Sequence, residues 1–417
     1  MTTLESLIYI SAGNLPSLWA NTVQTAKMSQ AFSQKLKHFE LVTSGDICSA
    51  FRGMDKDFQA WYSLERPYNL VRLPMHIQVN YPFSKSYGNY SYFRLAALYA
   101  CWKFPSLIYT RSPEIVGLMT KFGIPVMWEW HEPIQPNSPL VPLLSSNYLI
   151  GFVTLSPYLM DSLLQSKINP NKVFISPSAA DISTFLPAQS KTAARQKLGL
   201  PQDAKIVVYS GHLYDYKGIP TILEIAQLLP ECQFLLVGGW QKDVERVRLS
   251  CQQRHLTNIQ LTGHVAQSEL ATYLYASDIF LLPTSQTWAL AQTTSPLKLF
   301  DYMATNRPII ASALPTIMQT VEDRETALLV KSDEPKAWKE AIAQLLKDRT
   351  LSKRLAKKAF QKVQTLTWDR RADQILKFAT HQLQGIDSQN FQPRINLIRH
   401  TIKLVYGKLT TKFKVNP

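Results

Sequence analysis

"SPLKLFDYMATNRPIIAS", residues 295–312, sets how the rest of the chain is read. Ser295 suits a helix N-cap, and Pro296 suits the first helical position, where its missing N–H costs nothing. Leu297, Phe300 and Ala304 recur on one face, a stripe fit to pack on a sheet. Asn306 tolerates the left-handed backbone that ends helices, and Pro308 cannot continue one. "PIIAS" then reads as a buried strand, and "ASDIFLLPTS" (276–285) upstream reads as another. Strand, loop, helix, strand is a βαβ crossover in a parallel sheet. Ligands of such sheets sit beyond the carboxyl ends of the strands, so loop 284–294 and the helix start should face a site. Free N–H groups and positive potential there suit an anion, Lys298 adds charge, and Asp301 can accept hydrogen bonds from sugar hydroxyls. The same two side chains are equally placed for an i,i+3 ion pair on a surface helix.

Composition bounds the class. The 417 residues suggest two or three domains, each able to bury a sizeable core. Lys and Arg number 45 against 30 Asp and Glu, a net charge of +15 that favours polyanions: nucleotides, anionic lipid surfaces or nucleic acid. Cys48, Cys101, Cys232 and Cys251 form no CxxC, which fits a reducing cytosol with neither a metal site nor required disulfides. The N-terminus lacks the basic stretch of a signal peptide, and no apolar run is long enough for a membrane span. A cytoplasmic protein is expected.

Two series of strands follow one another. "LIYISAG" (7–13), "SLIYTRSP" (106–113), "PVMWEWHEP" (125–133), "YLIGFVTLSP" (148–157) and "KVFISPSAAD" (172–181) make the first. "KIVVYSGH" (205–212), "CQFLLVGG" (232–239), "NIQLTGHV" (258–265), "DIFLLPTS" and "RPIIAS" make the second. The polar, basic stretch 188–204 separates them. Two α/β domains are expected, 1–187 and 188–368. The tail 385–417 is basic, and its stretch 391–417 carries six Lys and Arg and no acidic residue. Ile395, Ile398, Ile402, Val405 and Leu409 give it an apolar face, suited either to an anionic membrane surface or to docking on the protein.

"YSGHLYDYKG" (209–218) places Gly211, His212 and Lys217 after the second series' first strand. A lysine beside a helix N-terminus suits a diphosphate, although most such lysines are simply solvated. It is not a P-loop, and no GxGxxG follows any strand. "LLVGGW" (235–240) ends a strand in two glycines, open to close approach by a ligand.

Taken in order, "YSGHLYDYKG…LLVGG…LTGHV…ASDIFLLPTS…SPLKLFDYMATNRPIIAS" resembles the donor domain of retaining glycosyltransferases of family 4. The likeness covers roughly residues 5–380. It implies the GT-B fold: α/β, two Rossmann-like domains facing a central cleft. "IYTRSPEIVGLMTKFGIPVMWEWHEP" resembles the family's strand–helix–strand leading to an N-domain histidine, and "TWDRRADQIL" resembles the end helix, 369–384, that crosses back to that domain.

The resemblance implies that Lys217 neutralises the donor diphosphate and that Asp301 holds the nucleotide ribose. His131 matches the histidine near the anomeric carbon, with Glu129 and Glu132 nearby. Gly13 matches the first-loop glycine near the phosphates. Ser295, Leu297 and Lys298 would line the phosphate pocket, beside Gly211 and His212, and Gly239 and Val265 would lie near sugar and base. The chain departs from the family in carrying His212 where arginine is frequent, Asp301 for glutamate, and Thr293 for the first carboxylate.

No cofactor is implied beyond a nucleotide-sugar co-substrate, UDP-sugar foremost and GDP-sugar second. The acceptor is expected to be a saccharide or lipid-linked. "DKD" (55–57) reads as surface, so transfer is expected without metal. A GT-B scaffold binding nucleotide sugar or polyanion without turnover is the alternative. No specific nucleic-acid motif accompanies the charge.

Overall fold

The computed structural model describes residues 4–17, 19–45, 53–74, 90–135 and 137–385. The tail's apolar stripe lies outside the described residues. No helix among those described is long and apolar enough to cross a membrane.

The chain divides into two compact units. One runs to Ser176 and resumes at Arg371; the other is Pro177–Arg370. The first unit holds β1 (Ser6–Asn14), β2 (His38–Gly45), β3 (Asn69–Pro74), β4 (Leu107–Thr110), β5 (Val126–Glu129), β6 (Leu149–Thr154) and β7 (Val173–Ile175). The second holds β8 (Lys205–Ser210), β9 (Cys232–Val237), β10 (Ile259–Gly263), β11 (Ile279–Leu282), β12 (Ile309–Ser312) and β13 (Leu328–Val330). The orders are β3-β2-β1-β4-β5-β6-β7 and β10-β9-β8-β11-β12-β13. Every pairing is parallel. Both sheets therefore start at a central strand, wind outward one way, then return and wind the other way. That is the doubly wound Rossmann pattern, whose ligand crevice lies where the order reverses. The reversal falls between β1 and β4, and between β8 and β11.

The apolar runs that looked like strands are buried on both faces, as parallel strands under helices must be. In β8, Ile206 and Val208 join one core with Leu235, Val237, Phe280 and Leu282. Val207 and Tyr209 join the other with Phe234, Leu236, Ile279 and Leu281. Burying both faces leaves no room for polar alternation, which is why these segments read as unbroken hydrophobic runs.

The boundary falls after Ser176, not at 187/188. Residues 177–187 carry no strand, but their hydrogen bonds go to the second unit. Ala180 N donates to Leu366 O at 2.7 Å, and Tyr275 Oη donates to Phe185 O at 2.7 Å. At the other end, the helix Trp368–Gln384 carries the chain back, and from Arg371 it belongs to the first unit.

Candidate functional site

The helix foreseen over 295–312 is Leu297–Ala304, with Pro296 at its N-cap position. Ser295 does not cap it. Its hydroxyl accepts from Ser178 N at 2.9 Å while its carbonyl accepts from Ser178 Oγ at 3.0 Å. Ser295 thus anchors the segment entering the unit, and a serine so engaged cannot turn back on the helix. The buried face is Leu299, Phe300, Tyr302, Met303 and Ala304, wider than the expected stripe, and Leu297 is only half-buried. Asn306 ends the helix at φ 56°, as its residue type allows.

Tyr302 sets the helix against the reversal point. Its ring stacks on Phe280 with centroids 4.1 Å apart, and its hydroxyl accepts from Ser210 N at 2.7 Å. Lys298 is thereby brought to the end of β8, where its Nζ lies 3.9 Å from the Tyr209 ring centre. Gly211 makes the room: a Cβ there would stand 2.6 Å from that Nζ. Gly218 does the same for the next loop. Its φ of 86° begins the helix Ile219–Leu228, and a Cβ would collide with Pro283 O at 1.8 Å.

Lys217 sits just before Gly218, its Nζ 3.7 Å from the Trp288 ring centre and 5.3 Å from that of Tyr216. The nearby Asp215 is taken by Arg246 at 2.6 Å. Neither Lys217 nor Lys298 forms a salt bridge among the described residues. Burial pushes the Lys217 ammonium down to about 8. Burial and then the Lys217 charge hold Lys298 well below the usual lysine value, with Asp301 opposing them. His212 is lowered by burial, Lys298 and Lys217, so it is neutral near pH 7. Two desolvated cations close enough to repel one another are a site built for an anion.

A row of rings missed by sequence reasoning frames this charge. Trp240, His212, Tyr214, Tyr216 and Trp288 succeed one another at centroid distances of 5.5, 5.1, 5.2 and 4.8 Å. Trp240 Nε1 donates to Tyr214 Oη at 3.0 Å, and Ser285 N to Tyr216 O at 3.0 Å. The signal was present in "HLYDYKG", "GGW" and "QTW", each at a strand's carboxyl end, but only the fold aligns them.

Of the other candidates in this unit, Gly239 follows β9 at φ 97°, and half-buried Val265 packs on a core. Asp301 is half-buried in the helix, where its charge acts on Lys298 and Tyr302. Thr293 is buried, and its hydroxyl donates back to Leu290 O at 3.3 Å. Asp55 of the "DKD" stretch is exposed and accepts from Phe58 N at 2.7 Å as a helix cap. No group of three or more metal-ligating side chains occurs among the described residues.

In the first unit, Gly13 lies at the end of β1, its carbonyl accepting from Thr43 Oγ1 at 2.5 Å. His131 follows β5 and both of its ring nitrogens are engaged. Arg111 Nη2 donates to Nδ1 at 2.5 Å, and Nε2 donates to Glu129 Oε1 at 2.9 Å. Burial, then Arg111, pushes His131 down to about 4, so the ring is neutral, as that pattern of donors requires. Glu129 is 1% exposed and also receives Arg371 Nη2 at 2.7 Å, Gln24 Nε2 at 3.0 Å and Tyr109 Oη at 2.7 Å. Burial would raise its pKa, but Arg371 first, then His131 and Arg111, hold it well below the carboxylate range. Glu132 is exposed and outside this network.

Comparison with known proteins follows the same lines. Residues 190–362 match the family model "Glycosyl transferases group 1". The D-inositol 3-phosphate glycosyltransferases of Nocardioides sp. and Stackebrandtia nassauensis are 25% and 26% identical over 228 and 229 residues. Those matches cover 50% of this chain and 48% and 49% of the relatives, so the chain spans about half the length of the curated relatives it matches. Among solved structures, sucrose-phosphate synthase from Thermosynechococcus elongatus superposes with TM-score 0.72 at 21% identity, covering 90% of this chain and 99% of that one. Anabaena HepE in complex with UDP superposes with TM-score 0.69 at 14% identity, covering 90% and 100%. Residues 190–362 are thus a Glycosyl transferases group 1 domain, and the two-sheet chain that carries it has the GT-B fold.

Proposed function

We propose that this chain moves a sugar from a nucleotide-sugar donor to a saccharide or lipid-linked acceptor, with retention at the anomeric carbon and no bound metal. UDP-sugar is the foremost donor and GDP-sugar the second. The observation that carries the reading is the pair Lys217 and Lys298, two half-buried lysines with no salt bridge among the described residues, at the carboxyl end of β8. That solved structures of similar fold include one with UDP supports the choice of nucleotide.

The chemistry follows from charge. When the bond from anomeric carbon to diphosphate oxygen breaks, negative charge gathers on the departing diphosphate and positive charge on the sugar ring. Lys217, Lys298 and the N–H groups at the start of Leu297–Ala304 stabilise the leaving charge already in place, without reorganisation. The acceptor hydroxyl attacks from the face the diphosphate leaves, and its proton passes to a phosphate oxygen. The reading involves no covalent glycosyl intermediate. Asp301 takes the ribose hydroxyls. Ser295, Leu297, Gly211, His212, Gly239 and Val265 border the donor, while Gly13 and His131 belong to the acceptor unit. His131, neutral and engaged at both nitrogens, acts by shape and polarity rather than by moving a proton. The protein is placed in the cytoplasm, with the basic tail as its contact to an anionic membrane.

A non-catalytic scaffold is the second reading, favoured by Thr293, whose hydroxyl turns back to Leu290. Proton NMR of the product formed with an excess of chelator separates the two. Product of the donor's own anomeric configuration supports metal-free retention. Inverted product, or turnover only when metal is restored, contradicts it. Nucleotide bound with no product from any acceptor favours the scaffold.

A further inference from the structure

At the opposite end of the second sheet's strands, ahead of β11 and β12, lies a cavity of about 300 Å³ that the donor chemistry does not use. Its charged lining is Lys191, Asp278, Arg307, Arg349 and Lys353. Asp278, the one acidic member, is already satisfied. Lys191 and Arg195 each reach it at 2.6 Å, and Ile206 N donates to it at 2.9 Å. Arg307 is fixed by the carbonyls of Ser277 at 3.2 Å and Asn306 at 3.3 Å, which orient its guanidinium without cancelling its charge. Arg349 and Lys353, four residues apart on the helix Arg349–Val363, form no ion pair among the described residues. Like charges at that spacing oppose each other, so the helix alone gives no reason for them.

We propose that this cavity binds a small soluble phosphate-bearing anion, a phosphomonoester or diphosphate, at a site separate from the donor site. Guanidinium forks match phosphate oxygens two at a time, and the volume is at the small end of ligand cavities. The proposal does not depend on the transferase reading.

Sodium pyrophosphate titrated calorimetrically into the full chain carrying Lys217→Ala and Lys298→Ala tests it, because the donor lysines are then gone. Saturable binding is expected, weakening about tenfold or more when Arg349→Ser and Lys353→Ser are added, since each lost charged contact is worth that order. Both positions are exposed, and the charge-keeping pair Arg349→Lys and Lys353→Arg should retain binding. Absence of saturable binding in the background chain overturns the proposal. So does affinity unchanged by the serine pair, or attachment only to anionic vesicles with no pyrophosphate binding.

Discussion

Lys298 Nζ stands 3.9 Å from the centre of the Tyr209 ring, in space that exists because residue 211 has no Cβ. Gly211→Ala tests that dependence. The added methyl would meet Nζ at 2.6 Å in a backbone at φ 121°, so the ammonium must leave. Nucleotide affinity should fall about tenfold or more, the cost of one displaced charged contact. Strain of about 1–3 kcal/mol should appear in denaturant unfolding. Calorimetry with UDP beside a urea titration reads both, and unchanged affinity would exclude Lys298 from the site.

The titration of Lys217 gives a pH dependence whose sign differs between binding and stability. A diphosphate binds the ammonium form, so affinity should be full below pH 8 and decline above it, approaching about tenfold per unit for one proton. The ligand-free protein should do the reverse. Unfolded lysine titrates near 10.5, so between 8 and 10.5 the unfolded state holds the extra proton and stability rises with pH. Lys217→Met should flatten both curves; a variant with the wild-type slopes would refute the assignment.

Arg371 and Glu129 are a buried pair 242 residues apart in the chain. Arg371→Ala leaves Glu129 charged without its main partner, and should cost about 3–5 kcal/mol in chemical denaturation. Adding Glu129→Gln should recover part of that loss. Glu129 titrates in the unfolded chain near 4.5 and well below that when folded, so its stability is full above 4.5 and lost as pH falls toward the folded value. Strictly additive losses in the double variant would show that the two do not act as a pair.

Burial, and after it Arg111, keeps His131 neutral. Arg111→Ala removes both a positive neighbour and the donor to Nδ1, so the His131 pKa should climb from about 4 toward its ordinary 6.5. The wild-type ring holds no proton between 4 and 6.5 while the unfolded chain does, so stability rises with pH across that window. The variant should narrow it. Ring-proton NMR against pH follows the change, and a wild-type midpoint in Arg111→Ala would contradict it.

The sheets were readable because parallel strands buried on both faces leave unbroken apolar runs such as Val207–Tyr209. Lys217, Lys298 and Gly211 were readable because βαβ topology puts strand ends and helix starts together. Ser295 was misread as a cap because its partner, Ser178, is 117 residues away. The same distance effect hid the aromatic row from Trp240 to Trp288 and the clamp of Arg371 and Arg111 on Glu129 and His131. Periodicity reports which face of an element is buried. It does not report which loops meet.

Release of free nucleotide from UDP-, GDP- and dTDP-sugars, compared between the wild-type chain and its Lys217→Ala and Asp301→Ala variants, bears most directly on the donor site. Slow hydrolysis of one donor by the wild type, lost in both variants, is expected and would identify the sugar as well. No binding and no release from any donor, or a rate indifferent to Lys217, would contradict a donor site at the end of β8.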